Sequence, residues 1–299
     1  MINQGITFSK DGDSFSVNYK SPSRKISNLR EEFNNDAVNI SKKYGKVYIA
    51  FSSGVDSQII LRCFIDMKLD FEAVFLHIKG YNEKEYQQLL ECQQFYGINF
   101  KIFELDADQY KNEWIESNNK NNVNSLVQYP FEYLSKNLEE SWPLITQGKS
   151  EPAIIGTNSK NCSIYHNYYE AMELRFDLIN RYRTVLDFPY SPESITSYYT
   201  DENLKTFVST LKYFNSSEHS PSDILQYFNN YAKPFVKGKY FSKDILWFPK
   251  LNGTENYPEW LLKMEFNRNF RVSVPYWDLV NFLESTVDEI KNYSEWKFR

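Results

Sequence analysis

The sequence has few of the residues from which metal and disulfide sites are built. Only three cysteines occur in 299 residues, Cys63, Cys92 and Cys162, and no two have CxxC spacing. A disulfide framework or a structural zinc site is therefore not expected. The three histidines contain no HExxH pair. The longest strongly apolar runs, such as residues 71–78, are far shorter than the roughly 20 residues that cross a bilayer, so we expect no membrane protein.

Basic residues are also outnumbered by acidic ones. The chain has 34 lysines and arginines against 39 acidic residues, a formal net charge of −5. Proteins that bind nucleic acid usually carry a positive excess, because phosphate contacts supply most of the non-specific affinity. The net charge therefore does not indicate a nucleic-acid partner, although a local basic patch is compatible with one. No apolar secretory segment opens the chain, so we expect a cytoplasmic protein.

Apolar residues, by contrast, are plentiful and arranged in alternating patterns. Hydrophobic residues make up 41% of the chain and aromatic residues 17%, enough for a packed core. Short β-branched or aromatic runs predict strands, and 3.6-residue periodicity predicts helices between them. The predicted strands cover 46–51, 71–78 and 98–105, and the predicted helices cover 58–67 and 83–96. This alternation predicts an α/β fold with a doubly wound parallel sheet.

Further elements flank this core. Before it, we predict strands at 6–8 and 14–19 and a helix over 29–44. After it, we predict a helix over 129–141 and a fourth sheet strand at 143–146. Residues 153–155 are expected to continue that strand or to pair with it. From residue 168 onward helical patterns dominate. These predicted helices cover 168–180, 192–199, 201–213, 221–231, 257–267 and 276–293. We therefore predict an α/β part, residues 1–160, followed by a helical part, residues 161–299, whose aromatic side chains are a candidate homodimer face.

The turn Ser52-Ser53-Gly54-Val55-Asp56-Ser57 joins the first core strand to its helix and suits an anion. Free backbone N–H groups and the helix dipole favour negative charge at a helix start. Three hydroxyls add donors, and Gly54 lets a ligand approach the backbone. Asp56 suits either a helix cap or a ligand of the Mg²⁺ that accompanies nucleotide phosphates. Neither GxxxxGK[ST] nor GxGxxG occurs, and an ordinary capping turn is the alternative interpretation.

The segment KVYIAFSSGVDS, residues 46–57, resembles the PP-loop, S-G-G-x-D-S, of the ATP pyrophosphatase superfamily. This superfamily of adenine nucleotide alpha-hydrolase-like proteins includes the asparagine synthetase-like and PAPS reductase-like branches. The resemblance covers about residues 46–105 and implies a HUP/Rossmann-like fold. It assigns the nucleotide contacts to Ser52, Ser53, Gly54, Val55 and Ser57, and it makes Asp56 a catalytic residue and a Mg²⁺ ligand. Ser53 stands where a second glycine is usual, and a positive φ there would cost serine about 1 kcal/mol.

The resemblance also implies a base contact and a second polar turn. Adenine would lie against residues 77–80, at His77. After the fourth strand, Gly148 would contact the nucleotide, Lys149 would neutralise charge on the leaving pyrophosphate as a catalytic residue, and Glu151 would bind Mg²⁺. A histidine at the edge of the core and an ordinary exposed turn are the alternative interpretations of these two segments.

These assignments imply an ATP-dependent enzyme with ATP and Mg²⁺ as cofactors. It would cleave ATP to AMP and pyrophosphate and so activate a substrate oxygen for attack by an amine or sulfur nucleophile. The helical part would select the acceptor, a small molecule or a nucleobase. Two alternatives stay open: a PAPS reductase-like protein that handles sulfonucleotides, whose sulfur chemistry would need Cys162 or a partner protein, and a non-catalytic ATP-binding module.

Overall fold

The computed structural model describes residues 4–11, 14–121, 129–147, 153–156, 162–166, 182–210, 272–275, 280, 281 and 284. The strands are β1 (Ile6–Asp11), β2 (Ser14–Tyr19), β3 (Val47–Ala50), β4 (Phe71–Ile78), β5 (Phe100–Leu105), β6 (Leu144–Gln147), β7 (Ala153–Gly156), β8 (Cys162–His166), β9 (Val185–Phe188) and β10 (Val272–Pro275). The helices are α1 (Leu29–Tyr44), α2 (Val55–Asp66), α3 (Glu83–Tyr96), α4 (Ala107–Asn121), α5 (Tyr129–Asn137), α6 (Pro192–Tyr199) and α7 (Glu202–Thr210).

Five parallel strands form the central sheet, in the order β5-β4-β3-β6-β9. Its first strand in the chain, β3, lies in the middle; β4 and β5 extend to one side and β6 and β9 to the other. The strand order therefore reverses between β3 and β6. In open α/β sheets, ligands bind in the crevice outside the carboxyl ends of the strands at such a point.

Helices cover both faces of this sheet. On one face, Ile49 belongs to a core cluster that contains Phe33 of α1 and buried residues of α2 and α3. On the other, the neighbouring Tyr48 belongs to a cluster with Trp114 of α4 and Leu134 of α5. Successive strand residues point to opposite faces, so a sheet buried on both faces needs continuous apolar strands. The predicted doubly wound parallel α/β fold is confirmed.

The structure differs from the expected element pattern at two places. Strand β7, expected to continue or pair with β6, pairs instead with β8 in an antiparallel three-stranded sheet, β10-β8-β7. Strand β9 was not predicted, because four residues buried on both faces show no alternation. It reaches the central sheet from beyond residue 160, while the division into 1–160 and 161–299 stays a prediction.

Part of the predicted helical half can be compared with the structure. The helices predicted at 192–199 and 201–213 correspond to α6 and α7. Those at 168–180, 221–231 and 257–267 lie outside the described residues, and of 276–293 only residues 280, 281 and 284 are described, all helical. Within the described ranges, no helix combines the length and apolarity that crossing a membrane requires.

Arg183, just before β9, closes the C-terminal end of α5. Its buried guanidinium donates to the carbonyl oxygens of Ser135 (2.8 Å), Leu138 (2.6 Å), Glu140 (2.8 Å) and Trp142 (3.1 Å). The last carbonyls of a helix lack partners within the helix, and a cation there is favoured by the helix dipole. One side chain thus fastens the entry of β9 to the segment that leads into β6.

We expect Arg183→Met to lower the free energy of unfolding by about 3 kcal/mol, because four carbonyl groups lose their donor. Urea unfolding measures the change. Arg30→Met is the control: Arg30 bonds Asp66 at 2.7 Å in a partly exposed pair, so its loss should cost less than about 1 kcal/mol. Equal losses in the two variants would show that Arg183 contributes no more than a surface charge.

Asp36 ties α1 to the start of α6. Its Oδ2 accepts hydrogen bonds from the backbone N–H of Tyr190 (2.6 Å) and Ser191 (3.1 Å) and from Ser194 Oγ (2.5 Å). Its Oδ1 has no hydrogen-bond partner among the described residues. Burial disfavours the charged carboxylate and raises the pKa of Asp36 from 3.8 to about 6, against the opposing effect of these hydrogen bonds.

A raised carboxyl pKa makes stability fall as pH rises. Between the unfolded pKa of 3.8 and the folded pKa of about 6, the folded chain keeps a proton that the unfolded chain has released. We therefore expect the Asp36 contribution to decline through this window by about 3 kcal/mol, and Asp36→Asn to remove that decline. Urea unfolding of both proteins from pH 4 to pH 8 measures it.

Glu32→Gln provides a control of opposite sign. Burial raises the pKa of Glu32, but hydrogen bonds from Arg24 and from the Ser27 N–H outweigh it, so the pKa lies below its ordinary value. Its contribution is therefore lost as pH falls. If the Asp36→Asn and wild-type stabilities changed in parallel with pH, the raised pKa of Asp36 would be wrong.

Candidate functional site

The carboxyl edge of the central sheet has a step at β3. Ala50 pairs with Val74 of β4, and Phe51 N–H donates to the Val74 carbonyl at 2.8 Å. Strand β4 continues to Ile78, paired there with Leu105 of β5. The chain therefore leaves β3 while the neighbouring strands run on, and the loop of residues 52–57 begins at this step.

The loop leads directly into α2, whose N-terminus carries no side-chain cap. Gly54 is the N-cap residue, with φ −71° and ψ 162°, and as a glycine it supplies no side-chain cap to the helix. The first N–H groups of a helix have no partner within the helix and favour an anion. Among the described residues other than its two chain neighbours, a Cβ added to Gly54 would meet Ser52 Oγ alone within 4 Å, at 3.4 Å. Asp56 lies in the first turn and is buried.

Two of the predicted phosphate-binding serines bond within the loop. Ser57 Oγ donates to the Gly54 carbonyl at 2.9 Å and accepts from the Ser52 N–H at 3.2 Å. Ser52 Oγ lies 3.4 Å from Ser57 Oγ, a long contact. Ser57 therefore closes the loop on itself, and the Ser52 hydroxyl is the more weakly held of the two.

Ser53, which stands where the PP-loop pattern has a second glycine, adopts a left-handed backbone conformation with φ 57°. Its side chain is buried, and Oγ donates to the carbonyl of Glu85 in α3 at 2.7 Å. The Ser53 carbonyl accepts from Gln58 Nε2 at 2.8 Å. The hydroxyl predicted to contact phosphate is thus directed at α3, and a phosphate contact would have to replace its bond to Glu85.

His77 is buried at the end of β4, and both its ring nitrogens face carboxylates. Nε2 lies 3.0 Å from Glu83 Oε1, and Nδ1 lies 3.4 Å from Glu104 Oε1. The ring stacks on Tyr86, with centroids 4.1 Å apart. The pKa of Glu83 is lowered by a hydrogen bond from the Gly80 N–H and further by His77. The predicted base contact at His77 stays a prediction, and its imidazole is engaged by side chains of the protein.

Asn82 was not among the predicted site residues, yet it completes the end of β4. Its Oδ1 accepts from the Ile78 N–H at 2.7 Å, and its Nδ2 donates to the Leu76 carbonyl at 2.8 Å. Consecutive strand residues alternate in direction, so these two groups face the same side as Val74, where β3 has ended. An asparagine between a strand end and a helix start is the sequence signal that could have indicated it.

The remaining predicted positions are distributed unevenly. The loop and His77 lie at the carboxyl ends of adjacent strands, as predicted from their place in the sequence, whereas Gly148, Lys149 and Glu151 lie outside the described residues. Within the part of the chain that the structure describes, no cluster of three or more histidine, cysteine, aspartate and glutamate side chains is arranged to hold a metal ion. The Mg²⁺ ligands therefore remain predictions.

No family model matches the chain. No curated protein matches it either. Among solved structures, it is similar to a predicted subunit of tRNA methyltransferase from Methanocaldococcus jannaschii, at TM-score 0.30 and 14% identity over 48% of this chain and 68% of that one. It is also similar to NMN synthetase from Francisella tularensis, at TM-score 0.30 and 10% identity over 72% of this chain and 96% of that one. Likenesses at this level carry no argument about function.

The loop hydroxyls should differ in their effect on stability. We expect Ser57→Ala to lower the free energy of unfolding by about 1 kcal/mol, because the Ser52 N–H loses its acceptor and the Gly54 carbonyl keeps only its bond from the Gln58 N–H. Ser52→Ala should change it by less than about 0.5 kcal/mol, since Ser52 Oγ makes a long contact. Chemical denaturation of both variants measures this. A larger loss in Ser52→Ala would overturn the assignment of the two hydroxyls.

Proposed function

We propose that the chain is an ATP-dependent enzyme of the PP-loop class, which cleaves ATP to AMP and pyrophosphate to activate a substrate oxygen. One observation carries the proposal: the S-x-G-x-D-S loop, residues 52–57, joins the middle strand of the sheet to α2 at the point where the strand order reverses. That is the place where open α/β sheets bind ligands.

The loop's chemistry is compatible with phosphate oxygens. The uncapped N-terminus of α2 offers backbone N–H donors and the positive end of the helix dipole. The lack of a Cβ at Gly54 leaves room for an approach to the backbone. We assign phosphate binding to the backbone of Gly54, Val55 and Ser57 and to the Ser52 hydroxyl, and we give Ser53 a different role.

Asp56 is the candidate metal ligand of the loop in this proposal. A Mg²⁺ ion between Asp56 and a bound triphosphate would offset the repulsion between a carboxylate in the first turn of α2 and the phosphates. Carboxylate oxygens suit Mg²⁺, so Asp56, together with Glu151, is the proposed ligand set. When bound, Mg²⁺ would neutralise charge on the phosphates.

The proposed reaction is an in-line displacement at the α-phosphorus. A bond forms between the substrate oxygen and the α-phosphorus, the bond from the α-phosphorus to the bridging oxygen breaks, and pyrophosphate leaves with the electron pair. Lys149 would neutralise charge on that leaving group and Gly148 would contact the nucleotide. An amine or sulfur nucleophile would then displace AMP. Residues 161–299 would select the acceptor, which is a small molecule or a nucleobase. We also propose that the protein forms a homodimer.

The non-catalytic ATP-binding module has an observation in its favour. The Ser53 and Ser57 hydroxyls are bonded to backbone groups of the chain itself, so a reacting phosphate would have to replace those bonds in order to use them.

The sulfonucleotide alternative is weakened, because burial raises the pKa of the Cys92 thiol to about 12 and that of Cys63 well above its ordinary value. Thiolate chemistry would therefore depend on Cys162 of β8.

Gly54→Ala separates binding from folding. An alanine is allowed at φ −71° and would meet Ser52 Oγ at 3.4 Å, so we expect stability to change by less than about 0.5 kcal/mol. Because the methyl group would occupy the approach to the backbone, we expect at least about a tenfold loss of ATP affinity, about 1.4 kcal/mol. Calorimetry with ATP and Mg²⁺ measures affinity, and Asn137→Ala, at an exposed position of α5 on the opposite face of the sheet, is the control.

The products formed from ATP labelled at the α-phosphate identify which phosphate bond is cleaved. With acceptors supplied, AMP and pyrophosphate support the proposed reaction, whereas ADP and phosphate contradict it. Tight binding without product across the acceptor panel supports the non-catalytic module. Wild-type protein that binds neither ATP nor pyrophosphate rules out both.

A further inference from the structure

We propose that Ser53 is a positioning residue that joins the phosphate loop to α3, so that the loop and the first turn of α3 open and close together. Its nucleotide-dependent part rests on the proposed function, whereas the link itself is a property of the chain alone. The side chain would not touch the nucleotide; it would hold the loop that does.

The first turn of α3 is bonded to both parts of the candidate site. On one side, the Glu85 carbonyl accepts from Ser53 Oγ at 2.7 Å, in a buried contact. On the other, the Asn82 carboxamide holds the backbone of Leu76 and Ile78 at the end of β4. Residues 82–85 therefore form a bridge between the loop after β3 and the end of the next strand.

A second bond on that side strengthens the bridge. Glu83 Oε1 accepts from the Gly80 N–H at 2.9 Å and lies 3.0 Å from His77 Nε2. The end of β4 and its turn are thus held through the same helix turn that receives Ser53. A displacement of α3's first turn would disturb both the loop and the predicted base contact.

The conformation of Ser53 indicates that the hydroxyl has a role of its own. A left-handed serine is disfavoured relative to the glycine of the family pattern. The Gln58 side chain fixes its carbonyl at 2.8 Å, so the residue is held from two directions. Glycine would relieve the backbone strain but could not bond α3; we infer that this link is what serine adds.

Hydrogen exchange without ligand tests the link in the full-length chain. We expect Ser53→Ala and Ser53→Gly to speed amide exchange of residues 53–58 and 83–89 together by about five- to tenfold, the effect of losing one buried hydrogen bond. Ser52→Ala, whose hydroxyl stays within the loop, should leave 83–89 unchanged. Unchanged exchange over 83–89 in both Ser53 variants would overturn the inference.

Ser53→Gly distinguishes loss of the link to α3 from a general loss of stability. It removes the hydroxyl and relieves the positive φ, so its melting temperature should be at or above that of Ser53→Ala. Fast exchange over 83–89 in a glycine variant of wild-type melting temperature supports positioning. Fast exchange that accompanies an equal rise at amides on the opposite face of the sheet, such as those of α5, would attribute the effect to global destabilisation and contradict the link.

Exchange with ATP and Mg²⁺ distinguishes positioning from structural support. In the wild type, the nucleotide should protect both 53–58 and 83–89; in Ser53→Gly it should protect only 53–58. Equal protection of 83–89 in both proteins would contradict the inference. If the nucleotide protects nothing in the wild type, the proposed function fails, and the ligand-free comparison still decides whether Ser53 links the loop to α3.

Discussion

The early end of β3 is the constraint on which the candidate site depends. Because β3 stops opposite Val74, the backbone of Leu76 and Ile78 faces a side of β4 on which no β3 residue is left to pair. Buried backbone groups without partners are costly, and Asn82 supplies both a donor and an acceptor to them. The same early end releases the chain into the loop that starts α2. One short strand thus creates both the place for a ligand and the need for a side chain that completes its neighbour.

The side chain of Asn82 bonds β4, and the first turns of helices α2 and α3 differ in their charge. Its carboxamide does not cap α3, whose first turn instead carries Glu83 and Glu85, carboxylates that complement the dipole. Helix α2 has no side-chain cap and carries a single acidic residue, Asp56, in its first turn. An added anion is therefore better tolerated at α2 than at α3. In the proposed enzyme, this contrast favours the loop over the end of β4 as the phosphate position, with Asp56 as the proposed ligand of an accompanying cation.

Much of the fold could be predicted because the local sequence pattern indicates each helix and strand. The bounds of β4 and α3 follow from an apolar run and from the left-handed Gly97 that ends the helix. The position of the loop after β3 follows in the same way. Side-chain direction does not: the sequence gives a serine at residue 53, but its bond to Glu85 depends on how α3 packs beside the loop. Asn82 was missed for a related reason, since its partners are backbone groups exposed by the length of another strand.

Ser53 and Ser57 bear on how binding and chemistry divide between parts of this chain. Their hydroxyls stiffen the loop through bonds to the backbone, so in the proposed enzyme phosphate recognition falls to the N–H groups and the Ser52 hydroxyl. Recognition by backbone groups does not depend on side-chain identity, so replacing the second glycine of the family pattern with serine need not reduce binding. Chemistry makes a different demand, because charge that develops on a leaving pyrophosphate needs fixed cationic or metal-binding side chains. In the proposed enzyme these are Asp56 in the loop and Lys149 and Glu151 beyond β6. In the proposed enzyme, binding and catalysis are therefore separable, and a variant could lose catalysis while its loop still held the nucleotide.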